Sequence, residues 1–569
     1  MRNLMHVNNG AEAFVETLAA LGIEHLFINP GIDVVPVQGA IARLKARGRK
    51  VPKVILTTHE SVAVAAAHGY SMVSGKPQVV VVFQDVGIMQ GGGSIINLQY
   101  GRSPVILASG RNATTPPLNW MGEPFDQCKI ARDYVKWDHQ VVPDEDIASV
   151  LEEAYRVASQ EPCGPIYLSV DRQVNLGKMG ELKVEAPIPP WRQEIDSAAL
   201  RRAVDILAKA ENPLILTSYA GRHPEAVAHL VELAEAFAIR VITTDLRMNF
   251  PVTHPLCPGI ESNRESPFDH YIAEADVLFL LDYDYPPPMP KKVRPRPDAR
   301  IIHVDNELVK KGKRLFDRTP DVEIPGNSAQ ILPLINEIAR DRAEGASRMA
   351  ERIDRLAREH KAIRGEREAL ALRQAQDIPI SSEWLCYCIN RIMEKESLLV
   401  HMAPTSSAAL THQLRPVTTG SLYSWGDSAG SMGWPLGAAL GAKLAAPDRT
   451  VISLIGDGGF MYGGPVAALW SARAHRAPFL TILCNNQSYG AIRQLVKSGY
   501  GGEPVAGDGG FELGVDFPSP PDYAGLAKSC GAYGTRVEHP SRLLPALKRA
   551  VAEVRKGRSA LVEVKLSPP

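Results

Sequence analysis

The chain has 569 residues, 45% hydrophobic and 22% charged, a composition ordinary for a soluble globular protein of three or four domains. Its 63 basic side chains balance 63 acidic ones, so charge gives no reason to expect nucleic acid or an anionic membrane as partner; Pro290-Lys291-Lys292-Val293-Arg294-Pro295-Arg296, the nearest thing to a basic block, suits a surface loop. No apolar run approaches a membrane span, Met1 to His6 lacks the apolar core of a signal peptide, and seven scattered cysteines give neither a disulfide framework nor a zinc spacing, so a reducing cytoplasm is the simplest setting.

In chain order, residues 11–18 predict an amphipathic helix closing near Gly22, and residues 24–28 a strand stopped by Asn29-Pro30-Gly31. Residues 54–58 predict the next strand, followed by His59-Glu60 and an alanine-rich helix over 61–73. The valine run at 78–83 suits a strand covered on both faces, and 104–108 is another strand. Together these predict a doubly wound α/β domain over residues 1–175, then a linker, charged and later Pro-rich, at 176–196. A second α/β domain, 197–337, has strands at 213–216, 240–243, 277–281 and 300–304. None of its turns spells Gly-x-Gly-x-x-Gly, so a dinucleotide site of that kind has no sequence support. Residues 338–379 read as a solvated helical connection, and a third α/β domain runs from 380 to 569. Cys386 and Cys388 lie in a helical pattern there, where one cysteine packs in the core. The first and third domains read as one βα architecture used twice.

The strongest chemical signal is in the third domain. The apolar run 451–455 ends abruptly in Gly456-Asp457-Gly458-Gly459-Phe460, a helical pattern follows Pro465, and a second apolar run, 479–484, ends in Asn485-Asn486-Gln487-Ser488. In a parallel sheet both strand tips lie at the carboxyl edge, where ligands bind. Glycines after Asp457 let backbone N–H groups approach an anion, and an acid, an amide and a carbonyl beside a diphosphate suit Mg²⁺.

This pattern resembles that of the thiamine-diphosphate (ThDP) enzymes, in the branch of acetolactate synthase and the pyruvate and benzoylformate decarboxylases, over nearly the whole chain. The gap from Asp457 to Asn486 is about two residues longer than usual for the family, and Tyr462-Gly463-Gly464 is the turn expected to absorb them. The resemblance implies three parallel-sheet domains (pyrimidine-binding, central and diphosphate-binding) and Mg²⁺ held by the Asp457 and Asn486 side chains and the Ser488 carbonyl. It implies diphosphate contacts from the segment Gly456 to Gly459 and from Thr405 and Ser406, for which helix N-capping is the compatible alternative.

Thr58-His59-Glu60, with Ala66 and Gly69-Tyr70, resembles the family's segment whose glutamate meets the aminopyrimidine N1′ and favours the imino tautomer that deprotonates thiazolium C2. A desolvated Glu60 at a strand-to-helix junction suits that role; the alternative is an acid complementing a helix dipole. For His59, packing and catalysis stay open. Trp425 to Gly433 resembles the segment that props the bent cofactor on an apolar residue, here Met432, and accepts from the 4′-amine at the Gly430 carbonyl. Without the family, Met432 is a core methionine.

The substrate side departs from the relatives. Asn29, Pro30 and Gly31 resemble the benzoylformate decarboxylase loop, but Ile32 stands where that group puts serine or aspartate. Phe83 replaces a histidine, and Gln84 and Asp85 become candidates for polar contacts, with a surface position or turn capping the equal alternative for Asp85. Gly91-Gly92-Gly93 lacks the lysine of a phosphate loop and reads as a helix–sheet contact, and the Gly-rich stretch 497–517 is a candidate active-site lid.

The resemblance therefore implies a ThDP- and Mg²⁺-dependent decarboxylase or carboligase acting on a 2-oxo acid, as a homodimer or homotetramer. A flavin-linked oxidase is a second enzymatic reading, since some relatives bind FAD in the central domain, although no residue here is diagnostic of it. A non-catalytic ThDP-binding regulatory subunit is a third, against which stand Glu60, Asp457 and Asn486. A CoA-ester lyase is a fourth reading, against which stands the expectation that the short run after Val564 is not a lid for a CoA tail.

Overall fold

The structure, a computed structural model, describes residues 3–112, 126–184, 191, 194–261, 267–283, 294–308, 319–340, 346–416, 418–424, 430–499 and 513–567. It contains three six-stranded parallel sheets in succession along the chain. From edge to edge the first sheet runs Lys53–Leu56, His25–Asn29, Gln78–Val82, Val105–Arg111, Ile166–Asp171 and Trp137–Val141. The third runs Leu422–Ser424, Leu398–Met402, Val451–Gly456, Leu480–Asn485, Ala560–Lys565 and Tyr533–Val537. Numbered along the chain within each sheet, both orders are 2-1-3-4-6-5, so the duplicated architecture is present strand for strand. The middle sheet runs Ile260–Glu261, Arg240–Thr244, Pro213–Thr217, Val277–Leu281, Arg300–Asp305 and Val322–Pro325, an order of 3-2-1-4-5-6.

These strands are apolar because helices cover both of their faces; Gln78–Val82, for example, is buried at every position. In the first and third sheets the winding reverses between the first and third strands. The crevice beyond the carboxyl ends of those strands is where open α/β sheets take ligands. Asn29 and Phe83 flank it in the first sheet, Ala403 and Asp457 in the third.

Between these two sheets the Glu60–Ser74 and Trp434–Ala445 helices cross. One continuous apolar core joins Phe27, Val82 and Leu107 of the first sheet to Met402, Ile455 and Leu483 of the third. Small residues set how closely the helices approach: a Cβ on Gly69 would strike the Ala438 backbone, and one on Gly441 the Ala66 carbonyl. The alanine-rich pattern of the first helix is therefore an interdomain contact.

At the same crossing, His68 is fully buried and its Nδ1 accepts from the Trp434 indole N–H at 3.0 Å. Burial, with help from the Arg247 charge, pushes the imidazole down to about 3 from its usual value of 6.5. The folded chain thus binds fewer protons here than the unfolded chain between those values, so stability is lost as pH falls through this window. The expected slope is about 1.4 kcal/mol per pH unit. Denaturant titrations from pH 7 to 4 should show it, and His68→Gln should remove it; an equally steep acid limb in the variant would contradict the assignment.

Several expectations are corrected. The linker begins as structure: Glu181–Val184 pairs antiparallel with Asn3–His6. The connection after the middle domain is not simply solvated, because the Ala346–Arg373 helix buries Arg352, Leu356, Arg367 and Ala371. It lies along the seam of two domains, with Glu359 paired to Arg240 at 2.6 Å and Arg364 donating to the His412 carbonyl at 3.1 Å. Cys386 and Cys388 are both buried, not one of them. Gly91 and Gly93 lie inside the Gln84–Tyr100 helix and face Val64 and Ser431, so they make helix–helix and interdomain contacts and not a helix–sheet one. Most of the basic loop at 290–296 lies outside the described residues. Among the described residues no helix is long and apolar enough to cross a membrane.

Candidate active site

In the third domain Val451–Gly456 delivers Asp457 to the carboxyl edge, where it opens the short Asp457–Tyr462 helix. The side chain is buried, and both oxygens accept backbone amides: Oδ1 from Gly458 at 2.8 Å and Oδ2 from Gln487 at 2.6 Å. Desolvation still outweighs these bonds and pushes the carboxyl up to about 6. A carboxylate held out of water in this way is short of a cation. Beside it, Asn486 Oδ1 accepts from the Ser488 amide at 3.1 Å. Gln487 between them has φ 57°, a left-handed conformation that costs a non-glycine residue about 1 kcal/mol or more. Backbone bonds hold this turn: Tyr489 donates to the Val515 carbonyl at 2.7 Å, and Phe517 to the Gln487 carbonyl at 2.8 Å. A Cβ on Gly458 would collide with the Tyr489 ring, which packs edge-on against Phe517, so only glycine allows the loop this close.

The donors here are one carboxylate, one amide oxygen and nearby carbonyls; among the described residues no cluster of three or more His, Cys, Asp or Glu could hold a metal. That set suits Mg²⁺, which takes few protein oxygens and completes its shell with phosphate and water. Thr405 and Ser406 follow the neighbouring strand Leu398–Met402, on the other side of the crevice. Ser406 makes no side-chain cap to the helix after it; its hydroxyl lies 3.0 Å from that of Ser382. Of the expected turn Tyr462-Gly463-Gly464, Gly463 and Gly464 link two helices, whereas Tyr462 ends the first of them.

In the first domain, Asn29, Pro30, Gly31 and Ile32 leave the strand His25–Asn29, and Ile32 is 70% exposed. The acid of this loop is Asp33, which the sequence reading missed. Its Oδ2 accepts from the Gln84 amide at 3.2 Å and the Gly110 amide at 2.8 Å, while Oδ1 is buried without a partner. Burial raises its carboxyl above the usual range. Asp33 thus ties the loop to Gln84, whose φ of 41° is a second strained non-glycine residue at the edge. Asp85 is buried in the first turn of the Gln84–Tyr100 helix, where its Oδ1 accepts from the Val86 amide at 2.9 Å; Phe83 is the N-cap of that helix, which has no side-chain cap.

Glu60 is the first residue of its helix. His59 caps that helix, its Nδ1 accepting from Ser61 at 3.2 Å, which accounts for the histidine without catalysis. Glu60 is only half-buried, and no described residue bonds its carboxylate, so the desolvation expected from sequence is incomplete within one chain.

The two domains meet again at Ser431. Asn97 of the Gln84–Tyr100 helix accepts from the Ser431 amide at 2.8 Å and donates to its carbonyl at 3.3 Å, fixing the segment between Gly430 and Met432. Asn97 was not anticipated; a buried asparagine amid small residues on a helix is a weak signal. Met432 is 36% exposed and not a core methionine. Residues 425–429 and 500–512, with most of the expected lid, lie outside the described residues; Val515 and Phe517 brace the Asn486 turn.

Three family models match successive parts of the chain: the thiamine pyrophosphate enzyme N-terminal TPP binding domain over residues 8–130, the central domain over 200–335 and the C-terminal TPP binding domain over 405–564. Benzoylformate decarboxylase of Pseudomonas aeruginosa is 26% identical over 558 residues, covering 97% of this chain and 98% of that protein. Acetolactate synthase of Bacillus subtilis is 24% identical over 556 residues, covering 96% and 91%. Among solved structures, the thiamine diphosphate-dependent 4-hydroxybenzoylformate decarboxylase of Rhodococcus jostii RHA1 superposes with a TM-score of 0.79 at 22% identity, over 99% of both chains, a likeness of fold.

Proposed function

Because this chain belongs to the thiamine pyrophosphate enzyme family, we propose that it uses thiamine diphosphate and Mg²⁺ to decarboxylate a 2-oxo acid. It then either releases an aldehyde or ligates the retained acyl unit to a second carbonyl compound. The observation that carries this reading is Asp457, a desolvated carboxylate at a sheet switch point with an amide oxygen beside it and a glycine amide within reach.

In this reading Asp457, Asn486 and the Ser488 carbonyl hold Mg²⁺. Gly456, Gly458, Gly459, Thr405 and Ser406 receive the diphosphate. Glu60 holds the proton at the pyrimidine N1′, and the Gly430 carbonyl accepts from the 4′-amine. Met432 supports the bend of the cofactor, with Asn29, Pro30 and Gly31 lining the pyrimidine side. Ile32, Gln84 and Asp85 face the substrate. The cofactor, when bound, supplies a carbon nucleophile and an electron sink, and the protein supplies orientation and a dry site.

The same reading takes the enzyme as a homodimer or homotetramer in which a second copy completes the burial of Glu60. Support comes from apolar side chains that a single chain leaves exposed: Ile32, Val86 and Met89 near the first crevice, and Met432, Met461 and Val466 in the third domain. The unpaired cysteines agree with a reducing compartment, the cytoplasm.

The test incubates purified protein with ThDP, Mg²⁺ and a panel of 2-oxo acids, with and without aldehyde acceptors, following CO₂ and product mass. CO₂ release that requires both cofactors is the expected result, and the product mass separates decarboxylase from carboligase. Failure to bind ThDP overturns the proposal.

A further inference from the structure

Arg111 ends the strand Val105–Arg111, at the carboxyl edge that carries the candidate substrate residues. In register, Ser109 lies opposite Val82 and Val82 opposite Asn29, so Arg111 is one pleat beyond that row, level with Gly31 and Gln84. Its neighbour Gly110 is bonded through Asp33 to Gln84, which holds the guanidinium's strand against the loop of Asn29 to Ile32. By strand parity Arg111 shares the face of Leu107 and Ser109, and the Ser109 hydroxyl lies 2.8 Å from that of Tyr167 on the next strand.

The side chain of Arg111 is only 8% exposed, yet no ion pair or hydrogen bond holds it among the described residues, and Nε and Nη1 are buried without an acceptor. The cross-strand residue Asp171 makes no bond to it: that carboxylate caps the Arg172–Leu176 helix, accepting from Gln173 at 2.8 Å. Nor does the buried Asp85, whose Oδ1 accepts from the Val86 amide. A guanidinium kept from water with its donors unbonded is costly, and it is the group best shaped to take a carboxylate, phosphonate or sulfonate through two parallel bonds.

Which anion it takes follows from the chemistry of the proposed reaction, on which this inference rests. A guanidinium clamped on the departing carboxylate would be worth most before CO₂ forms and least afterwards. It would therefore stabilise the ground state and slow the step. An anion that stays on the molecule throughout carries no such penalty. We propose that Arg111 binds a permanent anionic group of the substrate, so that the enzyme selects carbonyl substrates bearing a second carboxylate, phosphonate or sulfonate. Arg111 is then a specificity-determining residue.

The test uses ThDP- and Mg²⁺-loaded enzyme and matched pairs of 2-oxo acids, 2-oxopentanoate against 2-oxoglutarate and benzoylformate against 4-carboxybenzoylformate. A second arm uses matched neutral and anionic aldehyde acceptors, which separates a donor anion from an acceptor anion. Wild type is expected to favour the anionic member by about 10- to 100-fold in kcat/KM, the range of charge-assisted hydrogen bonds, with most of the difference in KM. Arg111→Gln should collapse that ratio and Arg111→Lys restore part of it. Independently of turnover, the unreactive dicarboxylate glutarate should raise the thermal midpoint of wild type saturably and that of Arg111→Gln not at all. Equal handling of both members of each pair, with glutarate acting alike on both proteins, overturns the inference. So does dissociation of the Arg111→Gln oligomer, which would assign the guanidinium to a carboxylate of a second copy. ThDP binding, read by tryptophan fluorescence, separates the two failures: its loss in wild type sinks the proposed function, whereas its retention with no anion preference sinks only the role of Arg111.

Discussion

Replacing Glu60 by glutamine is expected to lower kcat by roughly 10²–10⁴-fold, the range of a lost general acid–base group, with ThDP affinity changed only a few-fold. Glutamine keeps the shape and a hydrogen-bonding oxygen, but it cannot hold and release a proton at N1′. The structure makes the control unusually clean. Glu60 has no intrachain partner among the described residues and stands at the first position of its helix, so its removal costs the fold only a favourable contact with the helix dipole. That contact is worth about 0.3–1 kcal/mol, or a few degrees at most in thermal midpoint. A collapse in turnover with a nearly unchanged midpoint would therefore mark chemistry and not stability. A glutamine variant keeping more than a tenth of wild-type turnover would remove Glu60 from the proton path.

Legibility in the sequence followed how locally each feature is encoded. Asp457 and the Asn486 turn were readable because strand, tip and glycine are contiguous, so an apolar run that stops in Gly-Asp-Gly-Gly announces its own geometry. The three sheets were readable for the same reason: strands covered on both faces must be continuous apolar runs. Asp33, Asn97 and Arg111 were not, because each acquires its meaning from a partner far along the chain. Asp33 matters through Gly110 and Gln84, and Asn97 through Ser431, which is 334 residues away. Arg111 is conspicuous only because the fold buries its guanidinium and leaves Nε and Nη1 without an acceptor. The long helix after the middle domain was misread as solvated because charged side chains with apolar stems can line a seam between domains while their heads find carbonyls and carboxylates. Its arginines Arg364 and Arg367 do this, reaching the His412 and Pro258 carbonyls.

Asp457→Asn is expected to abolish the stabilisation that ThDP and Mg²⁺ confer together, with little change in the cofactor-free protein. Two opposing terms decide the second half of that statement. The folded-state carboxyl sits at about 6, against an ordinary value of 3.8. At pH 7 the ionised group therefore destabilises the cofactor-free fold by about 3 kcal/mol, a cost that grows as pH rises through that interval and that asparagine does not carry. Asparagine offers only one acceptor oxygen, however, and both oxygens of Asp457 accept backbone amides, from Gly458 and Gln487. The variant must therefore set an NH₂ against an N–H, at a cost of about 1–3 kcal/mol. The terms nearly cancel, and the unliganded midpoint should stay within a few degrees of wild type. With ThDP and Mg²⁺ at about a hundred times Kd, wild type should gain roughly 3 kcal/mol by mass action and the variant almost nothing. Acid should mimic the mutation: below about pH 6 the cation must displace a proton from this carboxyl, so metal affinity should fall about tenfold per pH unit. Paired thermal melts with and without the cofactors, at pH 7.5 and pH 5, measure all three quantities. A variant that still gains the full cofactor increment at pH 7.5 would show that the metal is held elsewhere.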